Sequence, residues 1–233
     1  MAEKLAQVIC PDEECAMELK EILRAYNEIE KSIVDVRFKP RFIKDGPVYL
    51  ENLENVDELL ALALNVLGRN GIEIDCSRAT PEALKEGFPQ DPKLALLSYV
   101  ARRILYKSLV GRVEGIEWSG GRCPVCGLVP SAAVYSERQG WIYSQTALVL
   151  ACLCGYSWEY ESFKCPACGA SSRENFDVYI QGQVVYYKCR KCGHILGTVR
   201  TSGESFEKEL PVAINYGVVR LVLSGALASK DVY

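Results

Sequence analysis

Apolar residues in the first 110 positions recur at the three-to-four spacing that is typical of one helix face. The first such stretch runs from Asp12 to Val36, with Asp12 as its N-cap and Pro40 beyond its end. Its predicted buried face consists of Cys15, Leu19, Ile22, Tyr26, Ile29 and Ile33. The N-terminal part of the chain is therefore predicted to be helical.

Three more helical segments follow in this part of the chain. Asn55 is predicted to begin one of them through a capping box with Glu58, and Gly68 and Gly71 end it. Its predicted buried stripe is Leu59, Leu60, Ala63 and Leu67. A short helical turn is predicted at Thr80-Pro81-Glu82.

The last helix of this part is predicted to begin at Asp91-Pro92, with proline at its first position. Its predicted inner face is Leu94, Leu97, Ala101, Ile104, Leu105 and Ser108. Four basic residues are interpreted as its solvated face, namely Lys93, Arg102, Arg103 and Lys107.

The pattern of apolar residues changes after the glycine-rich stretch from Gly111 to Gly121, where we place a domain boundary. Short β-branched and aromatic runs then predict strands at Ala132 to Ser136, Ile142 to Ala151, Ser157 to Phe163, Phe176 to Ile180, Val184 to Lys188 and Ile195 to Arg200. A final helix is predicted from Pro211 to Ser229, apolar enough to dock back on the protein. One side of it carries Val212, Asn215, Tyr216, Val219, Leu223 and Leu227.

These elements predict an α+β fold. An N-terminal helical bundle (1–115) precedes two rubredoxin-like or zinc-ribbon β modules (122–203), and a C-terminal helix (210–230) closes the chain. The 233 residues carry a net charge of −3, and no stretch resembles a signal peptide or a membrane span. A cytoplasmic protein is expected; its oligomeric state stays open, a homo-oligomer included.

Eight of the eleven cysteines lie between Cys123 and Cys192. They form the pairs Cys123-Pro-Val-Cys126, Cys152-Leu-Cys154, Cys165-Pro-Ala-Cys168 and Cys189-Arg-Lys-Cys192, each followed by glycine. Glycine suits the residue after a metal knuckle because that residue is often at positive φ. Repeated pairs at this spacing predict two Cys₄ sites, each holding a zinc or iron ion.

Sequential pairing of the knuckles places Cys123, Cys126, Cys152 and Cys154 in site 1 and Cys165, Cys168, Cys189 and Cys192 in site 2. An interleaved arrangement, with the first pair joined to the third, is the alternative. Because the β region has few apolar core positions, we expect it to be unfolded or loose without metal. Cys10, Cys15 and Cys76 are interpreted as buried small apolar residues, although Cys10 and Cys15 are close enough to pair in an oxidising or thermophilic setting.

Four thiolates leave no open position for water or substrate, so the sites are not expected to be catalytic. The Cys-Pro-x-Cys pairs lack the strand-then-helix context of a redox-active disulfide. His194 is the only histidine and is expected at the surface beside the last knuckle. No phosphate loop, nucleophile elbow or dinucleotide motif is present, and the chain is predicted not to be an enzyme.

Nucleic acid is not the expected partner, because residues 123–200 contain seven basic and five acidic side chains. Eight thiolates with two divalent ions would bring the formal charge of this region to about −2. The aromatic residues Tyr135, Trp141, Tyr143, Tyr186 and Tyr187 could stack on bases, but we interpret them as core residues.

The motif Cys-Pro-x-Cys-Gly-x-x-Pro at Cys123 to Pro130 resembles the formate dehydrogenase accessory protein (FdhE) family. The same resemblance extends through Cys154, Trp158 and Cys165-Pro-Ala-Cys168-Gly to the last cysteine pair and the C-terminal helix. It implies a cytoplasmic maturation factor, or chaperone, with rubredoxin-like metal sites. Its client would be the catalytic subunit of a molybdenum or tungsten formate dehydrogenase. The alternatives are a zinc-ribbon adaptor of the transcription or RNA machinery and a rubredoxin-like electron carrier.

Overall fold

The computed structural model describes residues 2–44, 49–75, 77, 79–85, 91–139, 144–201 and 209–224. The helices are α1 (Ala2–Ile9), α2 (Glu13–Val34), α3 (Val56–Arg69), α4 (Pro81–Lys85), α5 (Pro92–Val113) and α6 (Leu210–Leu223). The strands are β1 (Ala132–Gln139), β2 (Ser144–Ala151), β3 (Ser157–Tyr160), β4 (Phe176–Gln181), β5 (Val184–Cys189) and β6 (Ile195–Thr201). This α+β architecture confirms the predicted fold class.

The N-terminal ends of the two long helices follow their capping residues. The Asp12 carboxylate accepts a hydrogen bond from the Cys15 amide at 2.8 Å, and Asp91 accepts from Lys93 and Leu94 at 2.9 and 3.2 Å. The buried stripe of α2 matches the prediction except at Ile22, which is 38% exposed, while Leu23 is buried.

Asn55 precedes α3 as predicted, but its side chain makes no capping bond. Its amide nitrogen donates to Glu58 at 2.7 Å and to the Lys39 carbonyl at 3.1 Å, and its oxygen accepts from the Arg41 amide at 2.9 Å. The predicted capping box is therefore wrong. The side chain is buried, and it fastens the 39–41 segment to the start of the helix.

All six strands belong to one sheet, in the order β3-β2-β1-β6-β5-β4. Neighbouring strands are antiparallel except at the centre, where β1 and β6 run parallel and Ala132 pairs with Gly197. Since β1–β3 follow the first cysteine pair and β4–β6 follow the third, the central strand pair joins these two halves of the sheet into a continuous structure.

Among the described residues, two of the apolar clusters pack helices against the sheet. The larger one contains residues of α2, α3 and α5, such as Leu59 and Leu105, together with Leu150, Trp158 and all four cysteines of site 1. The second contains α1, α6 and Tyr186 of β5. The helical region and the first site therefore share buried surface, and the division into domains at 115 and 122 stays a prediction.

The C-terminal helix docks on β6, β1 and α1. Its buried residues are Leu210, Pro211, Ala213, Ile214, Gly217 and Leu221, whereas Val219 and Leu223 of the predicted side are exposed. The predicted extension of this helix beyond 224 lies outside the described residues. Among the described helices, none is both long and apolar enough to span a membrane.

Cys10 and Cys15 form a disulfide that joins the end of α1 to the first turn of α2. The structure thus contains the pairing alternative, and Cys15 is buried as expected. The five-residue separation lets the chain turn around the Asp12 cap and brings the two Cα atoms to 5.4 Å. Cys76 lies outside the described residues.

Candidate metal centres

Each CxxC knuckle is closed by the same two backbone hydrogen bonds. The amide of the first cysteine donates to the carbonyl five residues on, as from Cys123 to Leu128 at 2.8 Å. The amide of the glycine after the second cysteine donates back to the first cysteine, as from Gly127 to Cys123 at 2.9 Å. The pairs at Cys165 and Cys189 repeat both bonds.

The irregular pair Cys152-Leu-Cys154 keeps this pattern with one residue fewer. The Cys152 amide donates to the Tyr156 carbonyl and the Gly155 amide to the Cys152 carbonyl, both at 2.9 Å. The glycines of all four knuckles have positive φ, between 73° and 103°. The predicted reason for glycine at this position is confirmed.

The cysteine sulfurs gather into two groups of four that could hold metal ions, and within each group they lie within 4.8 Å of one another. The groups are Cys123, Cys126, Cys152 and Cys154 (site 1), and Cys165, Cys168, Cys189 and Cys192 (site 2). This is the sequential pairing, and the interleaved alternative is not the arrangement that the structure contains.

The spacing of the sulfurs suits a tetrahedral ion. In site 1 the Sγ atoms of Cys123 and Cys154 are 3.6 Å apart, and those of Cys126 and Cys152 are 3.4 Å apart. In site 2 the corresponding distances are 3.6 and 3.7 Å. A tetrahedron with metal–sulfur bonds of about 2.3 Å has edges of about 3.8 Å. The donor set and its spacing therefore fit zinc or iron.

The two sites differ in their access to solvent. Every cysteine of site 1 is at most 2% exposed. In site 2, Cys165 and Cys189 are buried beside Phe176, whereas Cys168 and Cys192 are exposed. Site 1 is thus part of the protein core, and site 2 presents one side to water.

Burial governs the protonation of the metal-free thiols. It raises the pKa of Cys123 and Cys152 well above the ordinary value. Burial acts on Cys126 in the same direction, but hydrogen bonds from the other three thiols outweigh it and hold the pKa of Cys126 well below that value. Metal binding at site 1 therefore has to displace protons that the buried thiols retain.

In site 2, burial raises the pKa of Cys165 to about 12. A hydrogen bond from the backbone of Ala170 lowers the pKa of Cys168 to about 7. The exposed Cys168 therefore ionises more readily than the buried Cys165.

Arg102 and Arg103 of α5 contact the knuckles of site 1, and their interpretation as solvated residues is wrong. Arg102 is 1% exposed and donates to the Cys126 carbonyl at 2.5 Å, while Arg103 donates to the Cys154 carbonyl at 2.8 Å. Lys93 and Lys107 are exposed as predicted. One signal was available: apolar residues surround α5 on all sides near these positions, as expected for a buried helix.

Residues before α3 also hold the first knuckle. The Tyr49 amide donates to the Pro124 carbonyl at 3.0 Å, and the Leu50 amide donates to the Val125 carbonyl at 2.9 Å. Arg122 donates to the Gly127 carbonyl at 2.9 Å. With Arg102 on Cys126, each carbonyl from 124 to 127 accepts a hydrogen bond.

His194 follows the last knuckle but is half-buried rather than free at the surface. Its Nε2 atom donates to the Pro130 carbonyl at 3.0 Å, which links the last knuckle to the segment before β1. Burial lowers the pKa of this imidazole.

The strand aromatics pack as the core interpretation predicts where the structure describes them. Tyr186 is fully buried, and Tyr187 makes edge-to-face contacts with Phe163 and Phe176. Tyr135 is half-buried. Trp141 and Tyr143 lie outside the described residues.

No protein-family model and no curated protein matches this chain. The crystal structure of the FdhE protein from Pseudomonas aeruginosa is similar to it, with a TM-score of 0.58 and 16% sequence identity. The similarity covers 97% of this chain and 89% of that one. The chain therefore has the fold of the FdhE protein, the family that its cysteine motifs resemble.

Proposed function

We propose that this chain is a metal-binding accessory protein of the FdhE type. In this proposal it binds the catalytic subunit of a formate dehydrogenase, or of a related molybdenum or tungsten oxidoreductase, in the cytoplasm before assembly or export. The observation that carries the proposal is the fold similarity to FdhE over 97% of the chain, helices included. A helical region of this kind is not part of a rubredoxin or of a lone zinc ribbon.

The metals in this proposal are held by the two cysteine groups, Cys123, Cys126, Cys152 and Cys154, and Cys165, Cys168, Cys189 and Cys192. Either zinc or iron would cross-link the knuckles, and iron would add one-electron chemistry. Four thiolates complete a tetrahedral coordination sphere, so the protein has a binding role rather than a catalytic one.

The decisive experiment is an anaerobic purification of the tagged chain from its native host, with mass spectrometry of the proteins that co-purify and elemental analysis of the same sample. We expect about two metal ions per chain, one for each Cys₄ site. We also expect the catalytic subunit of a molybdenum or tungsten oxidoreductase in the eluate. The purified subunit should bind the purified chain again when the two are mixed.

One result would contradict the maturation role. Co-purification of polymerase or ribosomal proteins, with zinc alone and binding that weakens as salt rises, would indicate the adaptor.

A rubredoxin-like electron carrier is the second candidate, and the exposure of Cys168 and Cys192 favours it because electron transfer needs a site near the surface. Iron that is reduced and reoxidised reversibly, in a chain that captures no oxidoreductase subunit, would favour this role over the first.

A further inference from the structure

Two consecutive arginines of α5 hold equivalent atoms of the two knuckles of site 1. Arg102 donates through Nη1 to the carbonyl of Cys126, and Arg103 donates through Nη1 to the carbonyl of Cys154. Each acceptor belongs to the second cysteine of its knuckle. One turn of one helix therefore contacts both halves of the site.

The same guanidinium groups also bind α5 itself and two other helices. Arg102 also donates to Ser98 of α5 at 3.0 Å and to the carbonyl of Leu84 in α4. Arg103 binds both carboxylate oxygens of Glu30 in α2, at 2.8 and 2.5 Å. Each arginine thus connects one knuckle to two helices.

We propose that Arg102 and Arg103 couple metal binding at site 1 to the packing of α2, α4 and α5. The helices hold the two knuckles in register for the ion, and the bound ion in turn stabilises the helices. This inference rests on the proposed function only in requiring that site 1 binds metal. The stability of the helical region would then depend on whether site 1 holds an ion.

Thermodynamic linkage makes the effect reciprocal. A group that orders the ligands before the ion arrives raises the metal affinity, and the ion raises the stability of that group's surroundings by the same free energy. Residues that orient metal ligands typically change metal affinity by about 10- to 100-fold when they are replaced. A loss of this size is the expected effect of removing either arginine.

Site 2 lacks this connection among the residues that the structure describes. Its knuckles are closed by their own backbone bonds, and the Cys165 carbonyl accepts from Tyr160 at 3.4 Å. Arg190, within its last knuckle, pairs with Asp177 of β4 at 2.7 Å. The coupling is therefore specific to site 1.

Anaerobic titration of the metal-free full-length chain with Co²⁺ tests the inference, because thiolate-to-cobalt absorption bands report each filled site. Alkylation of the remaining free cysteines, mapped by peptide mass spectrometry, assigns each equivalent to a site. In Arg102→Met and Arg103→Met, site 1 should bind cobalt about 10- to 100-fold more weakly. Site 2 should be unchanged, and both sites should regain wild-type absorption at saturation.

Arg190→Met is the matched control, since it removes an arginine from site 2 without touching α5, and it should leave site 1 unchanged. Arg102→Lys should recover part of the affinity, because an ammonium group can still donate to the Cys126 carbonyl but cannot make the bidentate bridge to the helices. If Arg102→Met does not fold, Arg102→Lys is compared with the wild type in its place.

Hydrogen exchange supplies a readout that a merely structural arginine would not change. Filling site 1 should slow amide exchange in α2 and α5 of the wild type, and this slowing should be smaller in the two methionine variants, which keep the apolar contacts but lose the arginine bonds. Equal weakening of both sites, or slowing as large in the variants as in the wild type, would overturn the inference while leaving the metal sites intact. A wild-type chain that binds no cobalt would overturn the metal sites themselves.

Discussion

At the scale of single residues, the glycine after each knuckle is the clearest case of a position set by backbone geometry. Gly155 has a φ of +103°, and a Cβ atom there would lie 1.9 Å from Nη1 of Arg103. Gly169 has a φ of +73° and open space around it. The two glycines therefore separate the cost of backbone conformation from the cost of a collision.

We predict that Gly169→Ala lowers the free energy of unfolding by about 1–2 kcal/mol, because alanine has to adopt the left-handed region. Gly155→Ala should cost about 1–3 kcal/mol more, because it also displaces Arg103. Denaturant unfolding of the metal-loaded proteins measures both values. Equal losses would show that Arg103 moves aside without cost.

The hydroxyl of Tyr186 is the second residue-scale case. It is buried without a hydrogen-bond partner among the residues that the structure describes, and it points at Gly217 of α6. Tyr99 is also buried, but its hydroxyl donates to Glu30 at 2.5 Å.

Tyr186→Phe should raise the free energy of unfolding by about 1 kcal/mol, because the buried hydroxyl is desolvated with no hydrogen bond in return. Tyr99→Phe, the matched control, should lower it by about 1.5–3 kcal/mol, since a bond to a carboxylate is lost. Thermal and denaturant unfolding would test the pair. Destabilisation by Tyr186→Phe would mean that the hydroxyl finds a partner in solution.

At the scale of elements, α1 depends on contacts that are distant in sequence. The end of β4 and the turn after it donate to the last carbonyls of α1. The Gln183 amide donates to Val8 at 2.9 Å, and the Gln181 side chain donates to Ile9 at 3.3 Å. The Cys10–Cys15 disulfide fixes the direction in which α2 leaves it. An eight-residue helix would not be stable without such support.

Reduction of this disulfide should lower the free energy of unfolding by about 2 kcal/mol, the value expected for closing so short a loop. The measurement compares unfolding with and without a phosphine reductant that leaves the metal sites loaded. The Cys10→Ala/Cys15→Ala variant is the control and should not respond to the reductant. A response of equal size in that variant would show that the reductant acts on a group other than the Cys10–Cys15 disulfide.

At the scale of the whole molecule, the two halves that carry site 1 and site 2 share one sheet but differ in how deeply their cysteines are buried. Site 1 is enclosed by helices, whereas Cys168 and Cys192 of site 2 face solvent. A chelator that must approach the ligands will reach site 2 first.

We predict that zinc or iron leaves in two phases on chelation, with the cysteines of site 2 becoming reactive to alkylation before those of site 1. Complete removal should abolish the β signal in far-UV circular dichroism, because metal binding supplies folding free energy of roughly 10 kcal/mol or more for such a site. A β signal retained after complete chelation, or release from site 1 first, would contradict this prediction.

Several features of the fold follow from local sequence. Residues close in the chain determine the caps at Asp12 and Asp91, the strand positions and the cysteine pairs with their following glycines. These features were therefore predictable. The solvated interpretation of Arg102 and Arg103 failed for the opposite reason: a 3.6-residue period reveals the polar side of a helix, but not what packs against it. α5 is buried from Leu97 through Arg102, so no side of it faces solvent there.

The sequence by itself determined that this protein has two Cys₄ groups after a helical region, because knuckle geometry depends on a few adjacent residues. Only the tertiary structure decided that β1 and β6 pair in parallel to make one sheet, and that Cys10 and Cys15 are joined. It also placed site 1 in the helical core beside two arginines and left site 2 at the surface. These features depend on contacts between residues far apart in sequence, and local propensities carry no information about such contacts.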